Sequence, residues 1–113
     1  MAKKFYNTPL IQRADDKLLE LLACGHDGMI KVVCDIKTGA CAGGAEWHAE
    51  SRDLLKENGS AEENLWGAKL YLKTGKIKFQ SMINQHRDGA NGDLIADTGI
   101  QAKVETLIRR FLR

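Results

Sequence analysis

Apolar residues recur at three- and four-residue spacing near both ends of the chain, which predicts an amphipathic helix at each end. The first helix is expected over residues 13–24, and its stripe consists of Ala14, Leu18, Leu21 and Leu22. The second begins near Thr98, and its stripe consists of Ile100, Val104, Leu107, Ile108, Phe111 and Leu112. A shorter helix is expected between them, over residues 49–57, because Asn58-Gly59 supplies a stop signal.

Four runs rich in β-branched and other apolar residues lie between the two outer helices and predict strands. They cover residues 29–36, 40–43, 65–72 and 77–83. The first strand is joined to the second, and the third to the fourth, by the same sequence Lys-Thr-Gly. Its glycine supplies the positive φ of a hairpin turn. The repeated turn fits a duplicated α-β-β unit, or two hairpins that each needed a glycine.

The order α-β-β-α-β-β-α predicts an α+β domain in two layers: a four-stranded, mostly antiparallel sheet with the helices on one face. We expect the other face to be wet, since lysines alternate with apolar residues along the strands. The chain of 113 residues fits a single globular domain over residues 1–113, with the first eight residues flexible. The expected core consists of Ile30, Val32, Trp66, Leu70, Phe79, Leu107, Ile108 and Phe111.

Composition narrows the class of protein without naming an activity. Apolar residues make up 43% of the chain and charged residues 28%, which is the balance of an ordinary globular domain. The apolar runs are too short for a signal sequence or a membrane span, so we expect a cytoplasmic protein with no membrane partner. The three cysteines form no Cys-x-x-Cys pair, and neither a metal nor a cofactor is expected.

Residues 44–84 carry a set of specific short motifs. They are Glu46-x-His48-Ala49-Glu50, Leu65-Trp66-Gly67, Leu70-Tyr71 and Ile77-x-Phe79-x-Ser81. In these motifs the chain resembles a family of small, uncharacterised bacterial proteins known only as a domain of unknown function. The resemblance implies one compact domain, and it implies no reaction.

Glu46-x-His48-x-Glu50 is the sharpest candidate for chemistry. If the segment is extended, the three side chains point to one face, and Glu46 and His48 are then the candidate catalytic acid–base pair. The same set is also a candidate for a divalent metal ion. If these residues instead open the short helix, the carboxylates serve its dipole, and His48 caps it or lies on the surface.

Residues 84–96 are polar and glycine-rich, and they form the longest predicted loop, a length that is often functional. Such a cluster can hold an anion, and the alternative is a solvated loop without a ligand. The candidate ligand-binding residues are Asn84, His86 and Arg87 in this loop and the aromatic residues Trp66 and Tyr71 in the third strand.

Charge is separated along the chain, although the net charge is only +2. Residues 67–87 contain four lysines, one arginine and no acid, whereas residues 46–63 contain six acids against Arg52 and Lys56. The basic strand face predicts attraction to an acidic partner such as RNA, or it is simply the solvated side of the sheet. The two charged regions also complement each other between copies, so we expect a homodimer.

The chain contains no P-loop, dinucleotide fingerprint or nucleophile elbow. We therefore interpret it as a non-catalytic binding or interaction module of unknown ligand that self-associates. Two alternatives stay open. One is an RNA-binding module, and the other is a small enzyme in which Glu46 and His48 react while Asn84 and Arg87 hold a substrate anion. The enzyme hypothesis requires these two segments to line one cleft.

Overall fold

The computed structural model describes residues 4–113 and contains three α-helices in that range. They are α1 (Asp16–Ala23), α2 (His48–Glu57) and α3 (Thr98–Phe111). Aspartates begin two of them, since the Asp15 carboxylate accepts the Leu18 N–H at 2.8 Å and the Asp97 carboxylate accepts the Ile100 N–H at 3.0 Å. The first helix is shorter than expected because this cap fixes its start at Asp16.

Among residues 4–113, five of seven short strands form one antiparallel sheet. The strands are β1 (Thr8–Leu10), β2 (Met29–Asp35), β3 (Cys41–Gly43), β4 (Leu65–Tyr71), β5 (Ile77–Lys78), β6 (Ala90–Asn91) and β7 (Leu94–Ile95). The large sheet has the order β1-β3-β2-β4-β5, and β6 pairs with β7 alone. The α+β class and the antiparallel pairing are confirmed, whereas the expected number of four strands is wrong.

The sheet differs from the prediction in the additional strand β1 and in the short strand β5, and both differences have local causes. Strand β1 is three residues long and contains Pro9, so it carries no alternation, and its place at the sheet edge tolerates a residue without an N–H. The predicted fourth strand ends at Lys78 instead of residue 83. Beyond it the chain pairs with the stretch predicted to be a loop, where the Ser81 N–H donates to the Asp93 carbonyl at 2.9 Å.

Helices cover both faces of the sheet, so the expected two-layer arrangement with all helices on one face is wrong. Val32 of β2 belongs to the larger core, which α1 and α3 complete on the first face. Its neighbour Val33 points the other way and packs with Leu65 of β4 and Leu55 of α2. The domain therefore has three layers, and we call the side covered by α2 the second face.

Most of the predicted core is confirmed. Six of the eight residues are buried, namely Ile30, Val32, Trp66, Leu70, Leu107 and Ile108. Phe79 and Phe111 are partly buried and pack against the same cluster. The first eight residues were expected to be flexible, and residues 1–3 of this segment lie outside the described residues. Within the segment, the Tyr6 N–H donates to the Gly44 carbonyl at 3.1 Å.

The two Lys-Thr-Gly hairpin turns share one hydrogen-bond pattern. The Gly39 N–H donates to the Asp35 carbonyl at 2.8 Å, and the Gly75 N–H donates to the Tyr71 carbonyl at 2.8 Å. Both glycines have positive φ, +85° and +73°, which other residues rarely adopt. The turns are confirmed, and the duplication of an α-β-β unit stays a prediction.

Candidate functional site

A cleft opens on the second face of the sheet, beside the first turn of α2. Its volume of about 520 Å³ falls within the range of small-molecule sites. It is lined by Lys31 and Lys69 from the sheet, by Trp47, His48, Ala49 and Arg52 around the start of α2, and by Gln80, Ser81, Met82, Ile83 and Asp93 opposite. We call it the lysine cleft.

Three lysines stand side by side across neighbouring strands, two of them in this cleft. Lys31 in β2 is directly opposite Lys69 in β4, and Lys69 is directly opposite Lys78 in β5. Directly opposed residues share a face of the sheet, and a strand spacing of about 4.8 Å gives this lysine row a span of about 10 Å. Like charges in opposed positions destabilise a sheet, so the row opposes folding.

Neighbouring groups hold the Lys31 ammonium in place. Its Nζ donates to the Glu46 carbonyl at 2.9 Å and lies 5.0 Å from the centroid of the Trp47 ring, in a cation–π arrangement. Partial burial lowers the pKa of Lys31, the charge of Lys69 lowers it further, and Glu46 opposes both effects. The repulsion between Lys31 and Lys69 is the part of this effect that an anion bound between them would relieve.

Lys69 belongs to a short polar chain along the opposite wall. Its Nζ donates to Gln80 Oε1 at 3.4 Å, and Gln80 Nε2 donates to Asp93 Oδ2 at 3.0 Å. Asp93 is the only carboxylate among the described lining residues, against the cations Lys31, Lys69 and Arg52. Of these, Arg52 is paired with Asp53, its Nε lying 3.2 Å from Oδ1. The lining of the lysine cleft therefore has an excess of positive charge.

His48 is the first residue of α2, and its ring lies against the sheet. Its side chain is buried, and Nε2 lies 2.8 Å from the Ala68 carbonyl, to which it donates in the tautomer that this acceptor requires. Burial lowers the pKa of His48 to about 4, and the charges of Lys31 and Lys69 act in the same direction, whereas the bond to Ala68 opposes them. At neutral pH the ring is uncharged.

The segment from Glu46 to Glu50 opens a helix and is not extended. Glu50 Oε1 accepts the Trp47 N–H at 3.1 Å, which is one of the two hydrogen bonds of a capping box, so this carboxylate serves the helix start. Glu46 is exposed, and its carbonyl is occupied by Lys31. Within residues 4–113, no carboxylate bonds to the His48 ring, and no group of three His, Cys, Asp or Glu side chains is placed to hold a metal ion.

Asn84 is completely buried, and its side-chain amide pairs with the backbone of β4 as a neighbouring strand would. Its Oδ1 accepts the Gly67 N–H at 2.9 Å, and its Nδ2 donates to the Gly67 carbonyl at 2.9 Å. Gly67 also lets Ser81 and His48 lie close to β4, because a Cβ there would lie 2.5 Å from the Ser81 Cβ and 3.0 Å from the His48 ring. The Asn84 amide thus fastens to β4 the turn that contains Met82 and Ile83, which line the lysine cleft.

Arg87 fastens the segment after Asn84 to β4. Its guanidinium donates to the carbonyls of Leu65 and Glu63 and lies over the Trp66 ring, with Cζ 3.7 Å from the ring centroid. Burial lowers the pKa of Arg87, and nearby acids partly offset this. Trp66 itself is a core residue.

The structure separates the predicted candidates into three places. His48 lines the lysine cleft, whereas His86 and Arg87 line a neighbouring cavity of about 430 Å³. Tyr71 is exposed on the second face, at the end of β4. His48 and Arg87 line different cavities, which share Arg52, Met82 and Ile83, and Glu46 lines neither of them, so the enzyme hypothesis stays a prediction.

Sequence reasoning missed most of the groups that line the lysine cleft. The sequence predicted a solvated face for Lys31 and either a solvated face or attraction to an acidic partner for Lys69, and it gave no binding role to Trp47 and Arg52. One signal for the cleft was present, since the run Val32-Val33-Cys34 is apolar on both faces of the strand, which predicts cover on both sides near Lys31.

The fold and the site define a small three-layer α+β domain with a cationic cleft on one sheet face. The chain belongs to the family described as Protein of unknown function (DUF5674), whose family model matches residues 10–111. No curated protein and no solved structure matches it. Within residues 4–113, no helix has both the length and the apolar character needed to cross a membrane.

Proposed function

We propose that this protein is a binding module whose lysine cleft holds an anionic ligand. The observation that carries the proposal is the lysine row, in which Lys31, Lys69 and Lys78 are directly opposed across three strands. The row weakens the sheet, and a bound anion would turn the same repulsion into attraction. Two of these lysines line a cavity large enough for a small organic molecule.

Binding is better supported than catalysis. The His48 ring is neutral and donates to the Ala68 carbonyl, so one of its two nitrogens is already engaged. A general base would also need an orienting partner or a reactive group nearby, and no described carboxylate bonds to this ring. The side chains in the cleft therefore support holding an anion more than they support transferring a proton.

The exposed Trp47 makes the proposal measurable. It lies next to Lys31 and is 59% exposed, whereas Trp66 is buried, so a ligand in the lysine cleft changes mainly the fluorescence of Trp47. We expect uridine monophosphate to quench this fluorescence with at least about tenfold higher affinity than uridine, because hydrogen bonds to charged groups contribute about 1.5–3 kcal/mol.

A matched pair of variants locates the effect. The double variant Lys31→Gln with Lys69→Gln should lose about tenfold or more in affinity for uridine monophosphate. The control, Lys37→Gln with Lys103→Gln, removes the same net charge from residues outside the lysine cleft and should bind normally. Equal affinities for uridine and its monophosphate, or equal losses in both variants, would overturn the proposal.

The homodimer and the cytoplasmic location stay proposals. Helix α2 exposes Asp53 and Glu57, and the hairpin after β4 exposes Lys73 and Lys76, so two copies offer complementary charges, and an acidic ligand on this hairpin would compete with the dimer. Light scattering at micromolar concentration should then give twice the chain mass of 12.5 kDa, and raised salt should lower it. A mass of one chain at every concentration would remove the dimer and leave the ligand-binding proposal intact.

A further inference from the structure

A second hollow lies beside the lysine cleft on the same face of the sheet. This hairpin hollow has a volume of about 490 Å³, and its lining includes Tyr71, Lys76 and Lys78. Lys78 is directly opposite Lys69 of the cleft, and Tyr71 follows Lys69 by two positions along β4, which places it on the same face. The two depressions therefore form one surface joined by the Lys69–Lys78 pair.

Positive charge dominates this surface from end to end. Its lining cations are Lys31, Arg52 and Lys69 in the cleft and Lys73, Lys76 and Lys78 in the hollow, against the carboxylates of Asp93 and Asp27. An occupant with a single negative group would meet only part of this set. The distribution matches a ligand that carries several negative charges in a row.

An exposed aromatic residue stands in each depression. Trp47 is 59% exposed in the cleft, and Tyr71 is 38% exposed in the hollow, although large aromatic side chains are usually more buried. Aromatic faces beside a cationic groove are the arrangement on which bases of a single strand stack.

We propose that this continuous surface binds single-stranded nucleic acid, with phosphates on the lysine row and bases against Trp47 and Tyr71. The inference rests on the proposed function, because the lysine cleft holds one part of the strand. The surface is as short as the smallest sites of this kind, so we expect it to accommodate about four nucleotides.

The shape and charge around the cleft favour a single strand over a duplex. A duplex hides its bases in the stack and leaves no ring for Trp47 or Tyr71 to contact. In addition, α2 borders the cleft and is net acidic, since Glu50, Asp53 and Glu57 outnumber Arg52 and Lys56, so it repels the second phosphate backbone of a duplex. An acidic peptide would satisfy the lysines and would leave the two aromatic rings without a flat partner.

Fluorescence anisotropy with labelled octauridylate and octathymidylate tests the proposal at about 50 mM salt. We expect at least one of the two strands to bind more than tenfold more tightly than uridine monophosphate. The variant Lys73→Gln with Lys76→Gln should weaken the strand about tenfold, leave the mononucleotide unchanged, and reduce the slope of log K against log salt by about 1.4. Tyr71→Leu should weaken the strand at least about fivefold, since stacking is lost.

The comparison with uridine monophosphate separates this inference from the proposed function. If the mononucleotide binds and the strand binds no more tightly, the inference is wrong and the proposed function stands. If neither binds, both are wrong. Octaglutamate that binds as tightly as the strand, together with no effect of Tyr71→Leu, would identify an acidic peptide as the occupant and overturn the inference. Tighter binding of a duplex than of either single strand would overturn it too.

Discussion

Replacement of Asn84 by alanine should lower the free energy of unfolding by about 3 kcal/mol. The completely buried Asn84 amide accepts a hydrogen bond from the Gly67 N–H and donates one to the Gly67 carbonyl. The alanine variant leaves a buried N–H and a buried carbonyl without partners, and each such loss costs about 1–3 kcal/mol. Urea denaturation followed by circular dichroism measures the change.

The neighbouring amide provides the control for this prediction. Gln85 is exposed, and its backbone N–H supplies its contact to the Met82 carbonyl, so Gln85→Ala should change the stability by less than about 0.5 kcal/mol. If Asn84→Ala lowers the free energy of unfolding by as little as Gln85→Ala, the Asn84 side chain is not needed to satisfy the Gly67 N–H and carbonyl.

Asn84→Asp tests the same contact through pH. A protonated carboxyl group can accept from the Gly67 N–H and donate to the Gly67 carbonyl, whereas a carboxylate can only accept. Burial should therefore raise the pKa of the new side chain above its ordinary value of about 3.9. The contact is then complete below the ordinary pKa and is lost as pH rises through the raised pKa of the folded variant. The free energy of unfolding of Asn84→Asp should therefore approach that of the original chain near pH 4 and fall clearly below it at pH 7.

Amphipathic periodicity was sufficient to place the outer helices and to predict most of the core. In the first helix one stripe position was wrong, because Leu21 is exposed and Leu19 is buried in its place. The stripes around Leu22 and Ile108 have the helical period, and a stripe of that kind depends only on residues close in sequence. The third layer was missed because lysines were treated as markers of solvent. Lys31 alternates with Ile30 and Val32, yet its face also contains the buried Val33, which α2 covers.

The candidate site was harder to predict because it depends on pairing between distant strands. Lys31 and Lys69 become neighbours only through the β2–β4 register, which is not a local property of the sequence. Asn84 was assigned to a loop, since nothing near it shows that its amide binds the Gly67 peptide. His48 was singled out from its charged neighbours, but its closest polar partner is the carbonyl of a residue twenty positions away, Ala68.

His48 should make the stability of this protein fall between neutral and acidic pH. Burial lowers the pKa of the ring from 6.5 to about 4, so the unfolded chain binds a proton before the folded one does. A lowered folded-state pKa contributes stability that is fully present above pH 6.5 and is lost as pH falls towards 4. The difference between the two pKa values corresponds to about 3 kcal/mol of stability.

His48→Gln isolates this contribution from the carboxylates that also titrate in acid. Glutamine keeps an N–H donor for the Ala68 carbonyl and does not titrate between pH 4 and pH 7. Urea denaturation of the variant and of the original chain at several pH values gives the comparison, and the carboxylate contributions cancel in the difference. We expect the original chain to lose about 3 kcal/mol more than His48→Gln over this range. Parallel pH profiles for the two chains would show that His48 is protonated as readily in the folded protein as in the unfolded one. The buried, neutral His48 ring in the lining of the lysine cleft would then be wrong.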